Sequence, residues 1–197
     1  TGIDLPGEIK GILPSREWKE SNLNEPWVFG DTYQFGIGQS YLKTTPLQML
    51  VATAAIANGG YIVSPKIVNK IGDKDQKIEL SSSKQRIDIS KRNLDIMMEA
   101  MKLAAEPYGT ANTGKPENIN IGGKTGTAEY GLPIYDDEGK AEYKTHAWFS
   151  GFAPYNNPEI AIIVFLKNGV GSTHAAPIAK EVLEYYFNSK NYVYKLR

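Results

Sequence analysis

Apolar residues change from helical to strand period in the last third of this chain, and that change restricts its folds more than any other feature. Between Thr45 and Asn58, Leu47, Leu50, Val51, Ala54 and Ala55 recur at helical spacing, and Met49, Ala52 and Ile56 fill most of the rest. A helix apolar nearly all round is a buried one. Thr45 reads as its N-cap, Pro46 as its first residue and Asn58-Gly59-Gly60 as its stop. Ser90 caps a second helix with Leu94, Met97, Met98, Met101 and Ala105 on one face, the methionines being core packing; Pro107-Tyr108-Gly109-Thr110-Ala111 ends it. Beyond Ile119 the period is that of strands: 119–129, 145–153 and 159–167. The third contains the unbroken run Ile160–Leu166, which implies burial on both faces. Pro177 opens a closing helix carrying Ile178, Val182, Leu183 and Tyr186. Helices followed by short-linked strands and a last helix define an α+β fold, an antiparallel sheet meander flanked by helices.

The remaining stretches are less periodic. Residues 1–45, dense in Gly, Pro and aromatics, read as ordered loops that cover a core or wall a cleft, because Trp18, Trp27, Phe29, Tyr33, Phe35 and Tyr41 need packing partners. Tyr61–Ile71 reads as a strand or extended connector, Gly72–Ser83 as polar turn, and Tyr130–Lys144 as an excursion turning at Asp136-Asp137-Glu138-Gly139. The expected parts of one domain spanning 1–197 are thus 1–45, 46–111, 119–167 and 174–189. Twenty-two basic side chains balance 22 acidic ones with no basic block, which argues against a nucleic-acid partner. No cysteine is present, so disulfides and thiolate metal sites are excluded. No apolar run approaches a membrane span, and the chain begins at Thr1; the expectation is a piece of a longer protein with any anchor upstream.

Chemistry concentrates in Gly122-Gly123-Lys124-Thr125-Gly126-Thr127-Ala128-Glu129. Lys124 and the Thr125 hydroxyl suit a carboxylate, Gly126 lets a ligand backbone lie close, and the Thr127 N–H suits an oxyanion if the strand is at a sheet edge. Alternation places Lys124 and Gly126 on one face and Thr125 and Thr127 on the other, so both serve one cleft only at an edge. Lys-Thr-Gly is one of three signatures of penicillin-recognising serine enzymes.

Further words follow in order. Thr1-Gly2-Ile3-Asp4-Leu5-Pro6-Gly7-Glu8, Gly36-Ile37-Gly38-Gln39-Ser40-Tyr41 with Thr45-Pro46-Leu47-Gln48, Ala57-Asn58-Gly59-Gly60, Gly109-Thr110-Ala111, the Lys124 segment and Ala175-Ala176-Pro177-Ile178-Ala179 resemble the C-terminal half of the transpeptidase domain of class B penicillin-binding proteins. Pro26-Trp27 with Gly30-Asp31-Thr32 resembles the elongation type, penicillin-binding protein 2, more than the division type. The resemblance implies a partial transpeptidase fold and a D,D-transpeptidase without a cofactor, in which a serine attacks the D-Ala-D-Ala end of a peptidoglycan stem peptide and passes the acyl group to an amine. It implies that Lys124 sets the proton network, Thr125 recognises the substrate carboxylate, Gly126 gives room and the Thr127 N–H forms half of the oxyanion hole. Gly123, Ala128 and His146 are implied to line the substrate site. Implied partners are the stem peptide, β-lactam antibiotics, a SEDS-type glycosyltransferase with the elongation complex, and the N-terminal half of the same protein. The implied location is the periplasmic side of a bacterial cytoplasmic membrane.

Ser81-Ser82-Ser83-Lys84 spells Ser-x-x-Lys but follows segments that the family's nucleophile precedes, and it sits in a polar turn. Ser189-Lys190-Asn191 spells Ser-x-Asn but follows the triplet. The expectation is therefore a nucleophile upstream and a fragment inactive alone, which exposes an apolar face and dimerises, exchanges strands or keeps an N-terminal piece. Gly123-Lys124-Thr125 fails as a phosphate loop because Asn118 stands where glycine is needed, and Gly38-Gln39-Ser40-Tyr41-Leu42 lacks the second glycine of a nucleophile elbow. His146 and His174 have no metal-ligand partner at ligating spacing; His146 reads first as packing or hydrogen bonding and second as cleft lining. Asp136, Asp137, Glu138 and Glu142 read as a solvated turn. A β-lactam sensor or β-lactamase relative and a non-catalytic binding module remain as alternatives.

Overall fold

Two compact units, residues 7–45 and the rest of the chain, make up the computed structural model, which describes residues 1–72, 77–79 and 81–195. In the smaller unit two short helices replace the expected loops. Ser15 accepts the Trp18 N–H at 3.1 Å to start α1 (Arg16–Leu23), and Asn24, left-handed at φ 55°, closes it. Helix α2 (Phe29–Gly36) starts where the Asp31 carboxylate accepts the Val28 N–H at 2.8 Å. The same carboxylate takes the Lys19 ammonium at 2.8 Å, both side chains being buried. That hydrogen bond, then the Val28 N–H, holds Asp31 below the ordinary carboxylate range, and Asp31 in turn raises Lys19. Trp18 lies on Tyr41 and Trp27 on Phe35 at centroid distances of 5.5 and 6.4 Å, so these aromatics pack within the unit.

In the larger unit α3 (Pro46–Ala57) starts at Pro46 and stops at Gly59 and Gly60, both at positive φ. Only Thr53 and Ala55 of this helix are buried, which corrects the expectation of burial all round. The elements packed on it cover part of its circumference. Residues 61–71, expected as a strand or extended connector, and 72–83, expected as polar turn, instead contribute to two small antiparallel ladders. One pairs β1 (Tyr61–Val63) with β4 (Lys84–Arg86), the other β2 (Lys70–Gly72) with β3 (Lys77–Glu79). Positions 73–76 and 80 of the expected turn lie outside the described residues. Three-residue strands carry too little alternation to be read. Ser90 caps α4 (Lys91–Ala105) as expected, accepting the Asn93 N–H. Leu94, Met101 and Ala105 are buried and Met98 half-buried, whereas Met97, at the margin of that stripe, is exposed.

The sheet is antiparallel in the order β5-β6-β7, with β5 Gly122–Tyr135, β6 Ala141–Ala153 and β7 Ile160–Leu166. The 130–144 excursion is a two-stranded ribbon continuing β5 and β6. It turns where the acidic cluster predicts: Asp136 Oδ1 accepts the Glu138 and Lys140 N–H groups at 3.0 and 2.8 Å. Strand β7 is not fully buried on both faces; Ile162 alone is buried and Phe165 is exposed, because the helices packed on it leave part of its surface uncovered. The closing helix α5 (Ala176–Lys195) follows a π-helical turn, Gly171–Ala175, and turns Ala176, Ala179 and Leu183 into the core. There they join Ala105, Ala111, Ile121, Ala147 and Phe149. No described helix is long and apolar enough to cross a membrane.

Candidate active site

Strand β5 has β6 on one side and no partner strand on the other among the described residues, so the edge position that the sequence reading required is met. Cross-strand pairing opposes Gly122 to Phe152, Lys124 to Ser150, Gly126 to Trp148 and Ala128 to His146 on one face; Gly123 to Gly151, Thr125 to Phe149 and Thr127 to Ala147 share the other. The glycines are steric necessities here. A Cβ on Gly122 would stand 2.4 Å from the Phe152 ring, and one on Gly123 2.9 Å from the Phe149 ring. The missing side chain of buried Gly123 therefore admits Phe149 to the core. At Gly126 a Cβ would come within 3.2 Å of Trp148 Cβ, so this glycine leaves room beside the indole.

On the first face Lys124 is exposed and its ammonium donates to the Thr125 carbonyl. Ser150, directly across, is hydrogen-bonded to the Thr53 hydroxyl of α3. Thr53 gives its own proton to the Met49 carbonyl at 2.8 Å, so Ser150 is the donor between them. Beyond Gly126 runs an aromatic row. Trp148 lies 4.5 Å from Phe165, and His146 lies 5.2 Å from Phe165 and stacks on Tyr130 at 3.9 Å with the rings 5° from parallel. His146 Nδ1 bonds the Lys167 carbonyl and Tyr130 donates to Asn168 at 2.6 Å. Both histidine interactions are those of packing and hydrogen bonding.

On the other face Thr125 is 8% exposed and donates to the Thr110 hydroxyl at 3.0 Å. Thr127 is exposed, and its hydroxyl accepts the Gly171 N–H at 3.2 Å. Ala128 is half-buried opposite His146. An ammonium, two hydroxyls and a glycine along an open strand edge suit an extended, anionic peptide.

The decoy serines stand apart from this edge. Ser83 bonds Ser64 at 2.6 Å, and Lys84 lies 3.9 Å from the centre of the Tyr61 ring, on a strand and not one helical turn from a serine. Ser189 lies inside α5 and donates to the Tyr186 carbonyl. Among the described residues no three His, Cys, Asp or Glu side chains converge as a metal site. Sequence reasoning passed over Thr53, Ser150, Trp148 and the role of Thr110. Ser150, Trp148 and Thr110 are brought to β5 by tertiary pairing and Thr53 to Ser150, and Thr110 alone stood in a word already singled out.

With an edge strand of this chemistry on an α+β core, the comparisons agree. Residues 1–184 match the penicillin binding protein transpeptidase domain, and the chain belongs to that family. Among its relatives, the peptidoglycan D,D-transpeptidase MrdA of Haemophilus influenzae is 35% identical over 96% of this chain and 31% of that protein. MrdA of Escherichia coli K12 is 31% identical over 97% and 32%. The Pseudomonas aeruginosa PBP2 structure, in complex with WCK 5153, superposes with a TM-score of 0.71 at 33% identity, covering 93% of this chain and 39% of that one. The Helicobacter pylori PBP2 in complex with MreC gives 0.72 at 30% identity, covering 94% and 32%. The chain thus spans about a third of the length of the curated relatives it matches.

Proposed function

We propose that this chain supplies the Lys-Thr-Gly wall of a peptidoglycan D,D-transpeptidase. The observation that carries this is the edge position of β5, with Lys124 exposed on one face and Thr125 and Thr127 on the other. A serine Oγ from elsewhere in the protein attacks the penultimate D-Ala carbonyl carbon; the peptide C–N bond breaks and D-Ala leaves with the proton on its amine. The acceptor amine then attacks the ester carbon, the C–Oγ bond breaks and the serine regains its proton. Lys124 contributes positive potential and proton traffic at the serine, Thr125 holds the terminal carboxylate, and the Thr127 N–H stabilises the oxyanion. Gly126, Gly123 and Ala128 shape the strand against which the stem peptide extends. β-Lactams acylate the same serine by opening their ring amide.

The rest of the reading follows the family resemblance and the MreC complex of the Helicobacter pylori PBP2. The intact protein works on the periplasmic side of the cytoplasmic membrane, with an MreC-class scaffold and a SEDS-type glycosyltransferase in the elongation complex. The test is intact mass with a fluorescent penicillin. The expected result is one adduct on the intact protein at a Ser-x-x-Lys serine and none on these 197 residues alone. A stoichiometric adduct on Ser81 overturns the assignment.

A further inference from the structure

We propose that Thr110 is a positioning residue for carboxylate recognition, acting through Thr125; this rests on the transpeptidase reading above. Thr110 sits in a turn with little freedom. Tyr108 is left-handed at φ 75°, and a Cβ on Gly109 would stand 2.2 Å from the Ala104 carbonyl oxygen, so only glycine fits. The Gly109 N–H donates to the Glu106 carbonyl at 2.9 Å and the Ala111 N–H to the Ala104 carbonyl at 2.8 Å, while Ala111 itself is fully buried. Thr110 is thus held between two anchors on the end of α4, and its hydroxyl meets that of Thr125 at 3.0 Å.

A hydroxyl has one proton to give and lone pairs to receive. With no ligand, Thr125 gives its proton to Thr110. When a carboxylate arrives, Thr125 turns that proton to the anion and Thr110, exposed to water, donates its own to the Thr125 oxygen. Charge-assisted hydrogen bonds in a chain polarise one another, so the second hydroxyl strengthens the first and fixes its rotamer.

The experiment compares acylation rates of the intact protein by a penicillin and by its carboxyl methyl ester, whose ratio isolates carboxylate recognition. Thr110→Val should lower that ratio roughly tenfold, the size of one hydrogen bond, with Thr110→Ser restoring it. Thr125→Val should lower it at least as far. If Thr125→Val lowers the ratio and Thr110→Val does not, the Thr110 proposal falls and the transpeptidase reading stands. If neither does, the carboxylate roles of Thr110 and Thr125 fall while acylation still supports the transpeptidase reading; if the wild type is not acylated, both the proposal and that reading fall. Equal slowing toward acid and ester marks a merely structural role and also overturns the proposal. Should Thr110→Val fail to fold, Thr110→Ala against Thr110→Ser makes the same comparison.

Discussion

The two edges of the sheet are built from opposite materials. Strand β5 begins Gly-Gly-Lys-Thr-Gly-Thr and leaves its ammonium and one hydroxyl exposed, whereas β7 reads Ile-Ala-Ile-Ile-Val-Phe-Leu without a polar side chain. Both lack an outer strand among the described residues. An open edge is a template for pairing with any extended chain, and charge is the usual protection. On the proposed reading the β5 edge is selective, because its side chains specify what lies alongside it. The β7 edge carries no such side chains, so only its backbone groups could direct pairing there.

The largest expected effect belongs to β5. Lys124→Ala in the intact protein should slow acylation by a fluorescent penicillin by roughly 10²–10³-fold, as removal of a preorganised electrostatic group does. Its melting temperature should stay that of the wild type, since Lys124 is exposed. Equal acylation rates would end the claim that this edge is the chemical one. Next, Gly123→Val should cost about 1–3 kcal/mol in urea denaturation, because it drives a branched side chain into the Phe149 ring. A neutral result would mean that β5 has slack the packing does not show.

For β7 the expectation is self-association of the 197-residue chain through this edge. Phe165→Lys places a charge on the exposed Phe165 position and should shift the chain toward monomer in concentration-dependent light scattering. An unchanged mass would remove the contrast. The smallest effect lies outside both edges. Asp31, held below the ordinary aspartate range by Lys19 and the Val28 N–H, stabilises the fold above that range, and this stabilisation is lost as pH falls through the lowered value. Lys19, raised by Asp31, adds stability that is lost only as pH rises through its own raised value. Acid should therefore lower the melting temperature of the wild type more than that of Asp31→Asn. Parallel melting curves against pH would refute the pair's contribution.

What was legible in the sequence is what local pattern encodes. Helices α3 and α4, the three long strands and their antiparallel order follow from period and caps, and Lys124 to Thr127 from a word whose chemistry is local. Helices α1 and α2 were not legible. Each has eight residues, and α2 holds Gly30 and Gly36, so cap and ion pair, not periodicity, define them. Burial of α3 and β7 was overestimated because apolar composition states what a residue prefers, not what covers it. The partners of β5 were hidden by register. Between Tyr130 and Ile134 the pairing slips by two residues, so counting back from the Asp136 turn would set Ser150 against Gly126 instead of Lys124.

The ribbon that carries this slip also makes the protein engineerable. Its tip at Asp136–Lys140 closes on its own hydrogen bonds, and Leu132, Ile134 and Tyr135 before it are exposed. A peptide epitope or a dye-labelled cysteine inserted there enters a chain without native thiols, so labelling is single-site. Lengthening such a loop costs only about 0.6 kcal/mol per doubling. The ribbon is continuous with β5, so a fluorophore at its tip marks that strand without replacing any of Lys124 to Thr127.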